Sequence, residues 1–160
     1  MALRKPLVID AGQIEQLQAG DTLDASVSGG DRVNQINDEL SPIVIGAPVY
    51  SSSNDGVKKA QANGSATSRA IGLVAQTSIA AAATGSVILN GPLTATTAQW
   101  DAITSDVGGL VFNAYYYLDP ATAGKLTQTA PTTVGQYVVQ VGRAFSTTEL
   151  MVDIQQSVLL

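Results

Sequence analysis

The chain contains no cysteine and no histidine. Disulfide staples are thereby excluded, as are thiolate and imidazole metal sites and histidine-based acid–base chemistry. Charge is scarce as well. Charged residues make up 13% of the sequence, well below the usual share, whereas hydrophobic residues make up 45%. A long disordered chain needs the opposite balance. No apolar run approaches the ~18 residues of a membrane-spanning helix. The run that follows Arg4 and Lys5 stops at Asp10, too short for a signal peptide. These absences predict a protein made and kept in a cytoplasm, held together by packing alone, with no cofactor and no membrane partner.

The few charges are unevenly spread. Residues 1–42 carry seven acidic against three basic residues, −4, and the remainder six against five, −1, giving the net −5. No basic stripe exists to neutralise phosphates, which argues against nucleic acid as a partner. Aromatic residues are equally lopsided: of eight, only Tyr50 precedes residue 100. Because aromatic side chains bury large areas, this imbalance predicts that the second half supplies most of the core. Residues 1–42 hold no aromatic and read as an extended N-terminal arm ordered by lying on the body or on a partner. Residues 43–160 read as a β-domain.

What the chain does have is one pattern written twice. Val49-Tyr50 is followed by Asp55-Gly56-Val57-Lys58, Ile71-Gly72-Leu73-Val74 and Val87-Ile88-Leu89. Tyr116-Tyr117 is followed by Gly124-Lys125-Leu126, Val141-Gly142-Arg143-Ala144 and Met151-Val152-Asp153-Ile154. Each copy reads strand, glycine-containing turn, strand, glycine-kinked strand, closing strand. Short strands between Gly, Pro, Asn and Asp turns predict an all-β fold, a small β-barrel or sandwich of two similar β-halves. Thr97–Ile103 is the one short helix expected, capped by Thr96 or Thr97 and placing Trp100 over one end of the sheet. Arg32–Leu40 has Val33, Ile36 and Leu40 spaced for a helical turn or two. Gly85–Leu89 reads as a strand bounded by the turn signal Asn90-Gly91-Pro92, and the Ala-rich stretch Ser78–Thr84 as a loop or short helix.

Catalytic constellations are missing. Hydroxyl nucleophiles need an oriented base, and none of Lys5, Lys58, Lys59 or Lys125 stands in a Ser-x-x-Lys frame. Asp101, Asp106, Asp119 and Asp153 allow a glycosidase-like carboxylate pair on paper, yet each reads better as a turn, cap or strand-end residue. Asp21, Asp24 and Asp31 do not follow a calcium-loop spacing, and Gly29-Gly30 and Gly108-Gly109 precede no phosphate-cradle Lys. The chain reads as a non-enzyme. Of Tyr115-Tyr116-Tyr117, alternation sets Tyr116 on the face opposite the other two. The triplet mixes core with rim, or contacts a protein or a sugar.

Two stretches carry a resemblance. Pro6 to Asp21, Pro-Leu-Val-Ile-Asp-Ala-Gly-Gln-Ile-Glu-Gln-Leu-Gln-Ala-Gly-Asp, resembles the virion-anchoring segments of tailed-bacteriophage fibre and structural proteins. Tyr115-Tyr-Tyr-Leu-Asp-Pro, Gly124 to Thr133, Val139-Gln-Val-Gly-Arg-Ala and Leu150-Met-Val-Asp-Ile are similar to small phage head-decoration, cement or head-fibre, proteins. The resemblance implies a structural virion protein on the head exterior that stabilises the capsid against internal DNA pressure. Its partners would be the major capsid protein and itself, as a homotrimer. A chain ending at Leu160 without a fibrous extension fits decoration better than a complete tail fibre. The alternatives are a tail-fibre or baseplate adaptor, and a carbohydrate-binding module using Trp100 and the tyrosines. Candidate capsid or intersubunit contacts are Leu3, Pro6, Leu7, Val8, Ile9, Ile14 and Leu17 in the arm, Tyr116 in the body, and Leu159 and Leu160 in the apolar tail.

Overall fold

A computed structural model describes residues 30–160 and, ahead of them, the backbone of two short strands. Strand β1 (Leu7–Asp10) and β2 (Gln13–Gln16) form an antiparallel hairpin with Leu7 opposite Gln16 and Asp10 opposite Gln13. The body then runs β3 (Asp31–Asn37), β4 (Ile43–Val44), β5 (Pro48–Ser51), β6 (Gly56–Lys59), β7 (Ala70–Val74), β8 (Ser78–Ile79) and β9 (Thr84–Thr94). Helix α1 (Thr97–Thr104) follows, and then β10 (Tyr115–Leu118), β11 (Leu126–Thr127), β12 (Tyr137–Val138), β13 (Gln140–Ala144), β14 (Glu149–Asp153) and β15 (Val158–Leu159). The described body is all-β with one short helix, as the composition and turn spacing predict.

Nine strands make one continuous sheet in the order β11-β10-β13-β14-β9-β3-β6-β5-β7. Strand β7 also pairs with β9, so β9, β3, β6, β5 and β7 close on themselves as a small barrel. Closure removes the free end that β7 would otherwise form, while β11 remains the end strand on the other side. The register Asp31↔Asn90↔Asp153 puts β3 and β14 on opposite edges of β9. Strands β7 and β14 therefore lie end to end along one edge of β9, the first against Val87 and Ile88, the second against residues 90–94.

The doubled sequence pattern is a doubled ladder. Val49 faces Gly72 and Tyr50 faces Ala70, with a bulge between, while Tyr116 faces Gly142 and Tyr117 faces Gln140, with the same bulge. Tyr50 opposes Lys58 as Tyr117 opposes Thr127. Val74 opposes Val87 as Ala144 opposes Leu150. Outside the strands, Gly46 N–H donates to Val74 O as Asn113 N–H donates to Ala144 O. Both residues hold positive φ, +79° and +68°. The match continues one strand further: Val33 pairs Val87 as Leu93 pairs Leu150. The body is thus two modules, residues 31–90 and 90–153, and β9 is both the last strand of the first and the first strand of the second. The closing strands align Val87 with Leu150, one residue earlier than the sequence comparison placed them.

Three stretches differ from expectation. Arg32–Leu40, read as a helical turn or two within the arm, instead contributes most of β3 (Asp31–Asn37), in the middle of the sheet. The 3–4 spacing of apolar residues there is coincidental: Val33 packs partly against the core, but Ile36 is exposed and the fully buried residue is Asn37. Its amide donates to Ser41 O at 2.9 Å and Ile79 O at 2.8 Å, while its Oδ1 accepts from Glu39 N–H at 2.8 Å, which makes burial tolerable. Asn90-Gly91-Pro92 is not a turn but the point where β9 changes partners, with Gly91 at φ +109°. Ala144 bonds towards Ala114, so Arg143 bonds Met151, and Met151 opposite Pro92 is a non-bonded pair. The nitrogen of Pro92 therefore points to the β3 edge of β9, past the last described pair Asp31–Asn90, where the ladder with β14 loses no hydrogen bond. Ser78–Thr84 becomes β8 and a turn with Ala82 at φ +57°.

The modules close differently. In the first, β3 overshoots β9 and pairs in parallel with β6, Ile36 beside Gly56 and Asn37 beside Val57. In the second, Thr96 stops the strand by capping a helix. Its hydroxyl accepts from Gln99 N–H while the Gln99 side chain accepts from Thr96 N–H, a complete capping box. The helix carries Trp100, Ile103 and Thr104 into the core. Trp100 Nε1 donates to Thr148 O at 3.0 Å in the second module, and its ring lies where a Cβ on Gly46 of the first would come within 2.8 Å. The segment after β6 adds a second tie. Ala60 O accepts from Gly124 N–H, Ala62 N–H donates to Asp119 O, and Ala62 O accepts from Tyr137 N–H.

The buried apolar set divides almost evenly, 11 residues from Ile43 to Ile88 and 13 from Leu93 to Val152. Eight of the twelve largest fully buried side chains, Trp100 and Tyr116 foremost, nevertheless lie in the second half, which supplies the larger share of the core as the aromatic imbalance predicts. Of its aromatics, only Trp100 and Tyr116 are fully buried, while Phe112, Tyr115 and Phe145 are exposed.

Candidate interaction surfaces

The four carboxylates that sequence allowed as a pair, Asp101, Asp106, Asp119 and Asp153, are spent on local structure, whereas Asp21 and Asp24 lie outside the described residues. Asp101 accepts from Gly108 and Gly109 N–H, Asp119 from Ala121 and Thr122 N–H, and Asp153 from the Gln155 amide. Asp106 accepts from the Gln128 amide at 2.9 Å and from the Tyr116 hydroxyl at 3.0 Å. Asp38 accepts from the Ser52 and Ser53 hydroxyls, which hold its carboxyl below the usual range. Turn, cap and bridge roles account for each of them. Among the described residues no group of three or more acids is placed to hold a metal ion, and no helix is long and apolar enough to cross a membrane.

Tyr116 needs a correction. It is 0% exposed, so in this chain it offers no surface to a capsid or a neighbour. Its hydroxyl accepts from Val111 N–H at 2.9 Å and donates to Asp106. Burial first, and then the neighbouring Asp106 carboxylate, push its ionisation up to about 12. The strand alternation sorted the triplet correctly but left open which face was the core. Trp100 is equally buried, so neither ring presents a flat face on which a sugar could stack.

Beside single exposed residues such as Leu40, Val107 and Val134, apolar side chains group in two places on the described surface. One is the ribbon formed by β12 and β15, Tyr137 opposite Leu159 and Val138 opposite Val158, tied further by Gly135 N–H to Leu160 O and Leu160 N–H to Gln136 O. Val158, Leu159 and Leu160 are exposed there, Leu159 by 59%. Leu159 and Leu160, expected as contacts, thus stand on the surface. The other place lies at the opposite end of β13, where Val111, Phe112, Tyr115 and Phe145 are exposed, Phe112 by 71%. The Arg143 guanidinium sits 5.4 Å above the Tyr115 ring and reaches Asn113 Oδ1. This second cluster escaped the sequence reading, because aromatics are assigned to a core by default. The signal was the positional match of Val111-Phe112 to Val44-Ile45, before a residue of positive φ.

A recess of about 540 Å³ opens where β9 leaves β7. Arg69, Ile71 and Leu89 form one wall and Ile154 to Ser157 the other. Its wall residues Ile71 and Leu89 are half-buried, whereas their counterparts Val141 and Val152 in the second module are fully buried. Of the remaining expected contacts, Leu3, Pro6 and Leu17 lie outside the described residues. For Leu7, Val8, Ile9 and Ile14 only the strands they belong to are described.

Fold and surface together define an all-β chain of two modules sharing a strand, with exposed apolar clusters at both ends of the second module. No protein-family model matches the chain, and no curated protein matches it.

Proposed function

We propose that the chain is a structural virion protein that adheres to the exterior of a bacteriophage capsid, as a homotrimer, and stabilises it against internal DNA pressure. The observation that carries this reading is the exposed apolar ribbon at Val158, Leu159 and Leu160. Contiguous apolar surface of this kind marks a place where another protein sits. The segments from Pro6 and from Tyr115 that resemble phage structural and head-decoration proteins supply the context. The protein acts without chemistry, bridging neighbouring capsid subunits through several modest contacts whose avidity multiplies across a trimer. Its partners are the major capsid protein and other copies of itself. It is made in the host cytoplasm and ends up on the virion head.

The test is binding to purified empty heads. Saturable binding of the intact chain is expected, with Leu159→Asp and Leu160→Asp together weakening it at least ~10-fold, the loss of one anchor contact. Removal of residues 1–20 is expected to weaken it further. Absence of head binding beside firm association with purified tails sinks the proposal in favour of a tail or baseplate adaptor.

A further inference from the structure

Six asparagines stand in the chain, and two of them, Asn63 and Asn90, precede a glycine. Such a pair can react with itself. The backbone nitrogen that follows an asparagine can reach the side-chain carbonyl carbon, and closing a five-membered ring has the advantage of any intramolecular attack. Glycine has no Cβ, so it leaves that nitrogen unshielded and lets the backbone rotate into the geometry of attack. The fold treats the two sites differently. Asn90-Gly91 lies inside β9, where Gly91 opposes Val152. Since the next pair, Pro92 with Met151, is non-bonded, Gly91 and Val152 are a hydrogen-bonded pair. The Gly91 nitrogen is free to attack only after the strand shared by both modules has opened there. Asn63-Gly64 lies in the connection from β6 to β7, and Asn63 is exposed. Gly64 O accepts from Ser68 N–H at 2.9 Å, but Gly64 N–H donates to no described residue. Thr67 Oγ1 donates to Asn63 Oδ1 at 3.0 Å. That bond holds the side chain over its own turn and stabilises the charge that develops on Oδ1 when the carbonyl is attacked.

We propose that Asn63 is a site of covalent self-modification, at which the Gly64 nitrogen attacks Asn63 Cγ and the side-chain amide is converted to a carboxylate. The N–Cγ bond forms as the backbone nitrogen gives up its proton to water. The Cγ–Nδ2 bond then breaks, and ammonia leaves. A second water molecule opens the resulting ring at one of its two carbonyls. Opening at Cγ gives aspartate, and opening at the main-chain carbonyl gives isoaspartate, in which the chain runs through the side chain. Nothing is oxidised or reduced: in sum one water enters, one ammonia leaves and one negative charge is added. The place gives the change its consequence. Ala62, the residue before, donates to Asp119 O and accepts from Tyr137 N–H, and the Gln61 amide donates to Pro120 O at 3.1 Å. The new charge, and in isoaspartate one extra main-chain carbon, arise directly beside this tie between the modules. The inference stands on the Asn63 turn and does not use the capsid reading, so either can fail without the other.

The test incubates the full folded chain at mildly alkaline pH and follows each asparagine by peptide mass spectrometry. Isoaspartate is counted separately by methyl transfer from an isoaspartate methyltransferase. Asn63 is expected to convert first, at least ~10-fold faster than Asn90, because only Asn90 must wait for its ladder to open. In urea, where no ladder protects either site, the two rates are expected to converge. Gly64→Ala adds a Cβ that would meet only the Thr67 hydroxyl, at 3.2 Å. This variant is expected to keep the fold and to lose most of the conversion at residue 63. Asn63→Gln, which keeps the amide but needs a larger ring, is expected to stay unconverted there. An Asn63 that remains an amide in the folded chain overturns the proposal. Equal rates at Asn63 and Asn90 in the folded chain overturn it as well, and so does a Gly64→Ala chain that converts as fast as wild type.

Discussion

At matched interior positions the first module places Val49, Val57, Val74 and Val87, and the second places Tyr116, Leu126, Ala144 and Leu150. The backbone pairing around these residues is nevertheless the same, bulge for bulge and glycine for glycine. At these four positions the first interior uses residues of equal size. The second offsets a tyrosine with an alanine and adds a helix to seal the end. Register here is set by the sites that cannot vary, namely the bulge, the glycine opposite it and the residue of positive φ before the strand. Side chains inside the frame are free to trade volume, which is how cores tolerate hydrophobic exchange when total volume is kept.

The harshest way to break the comparison is Trp100→Ala. The indole is buried, touches the first module at Gly46 and bonds the second at Thr148. Its loss is expected to cost about 3–5 kcal/mol, lowering the melting temperature by roughly 10 °C for a chain of this size. Calorimetry is expected to show a single transition that moves as a whole. Two transitions, only one of them displaced, would mean that the modules are independent.

A gentler probe is the glycine pair. A Cβ at Gly72 would collide with Ile88 O, and one at Gly142 with Met151 O, both of them backbone atoms. Gly72→Ala and Gly142→Ala are each expected to destabilise by about 1–3 kcal/mol in urea titrations. Costs that differ by more than about 1 kcal/mol would show that the two ladders are not energetically equivalent.

The smallest effect separates Tyr116 from Val49, which cannot titrate. In the unfolded chain the tyrosine loses its proton near 10, and in the folded chain it keeps it to about 12. Between those values the unfolded state binds fewer protons, so stability falls as pH rises through that window. The loss is expected to be on the order of 1–2 kcal/mol by the time that window has been crossed. Tyr116→Phe should lack this component. Urea midpoints of the two proteins that run parallel from pH 9 to 12 would rule it out.

Much of this frame was legible in the sequence, because strands joined by glycine turns repeat visibly and because Gly72 and Gly142 cannot be replaced without collision. The helix was legible through Thr96 and Gln99, which satisfy each other's backbone groups by sequence-local contacts. Strand β3 was not. It buries an asparagine and exposes an isoleucine, the reverse of the rule that pattern reading relies on, and that choice makes sense once the distant carbonyl of Ile79 joins the local partners Ser41 and Glu39. Pro92 misled for a related reason, since its tolerance depends on which way a strand edge faces. The aromatic cluster around Phe112 was invisible for a third reason: composition reports how much apolar surface a chain has, but not how much of it remains uncovered.

Strand β9 has a mechanical meaning beyond its place in the ladder. Its 11 residues extend for roughly 36 Å and are clamped over the first part by β3 and β7 and over the rest by β14. Tension applied along it loads the hydrogen bonds of both modules sideways and at once, instead of opening them one by one from an end. Under stretch the two modules share a single tie-rod, and neither can yield before the other is strained.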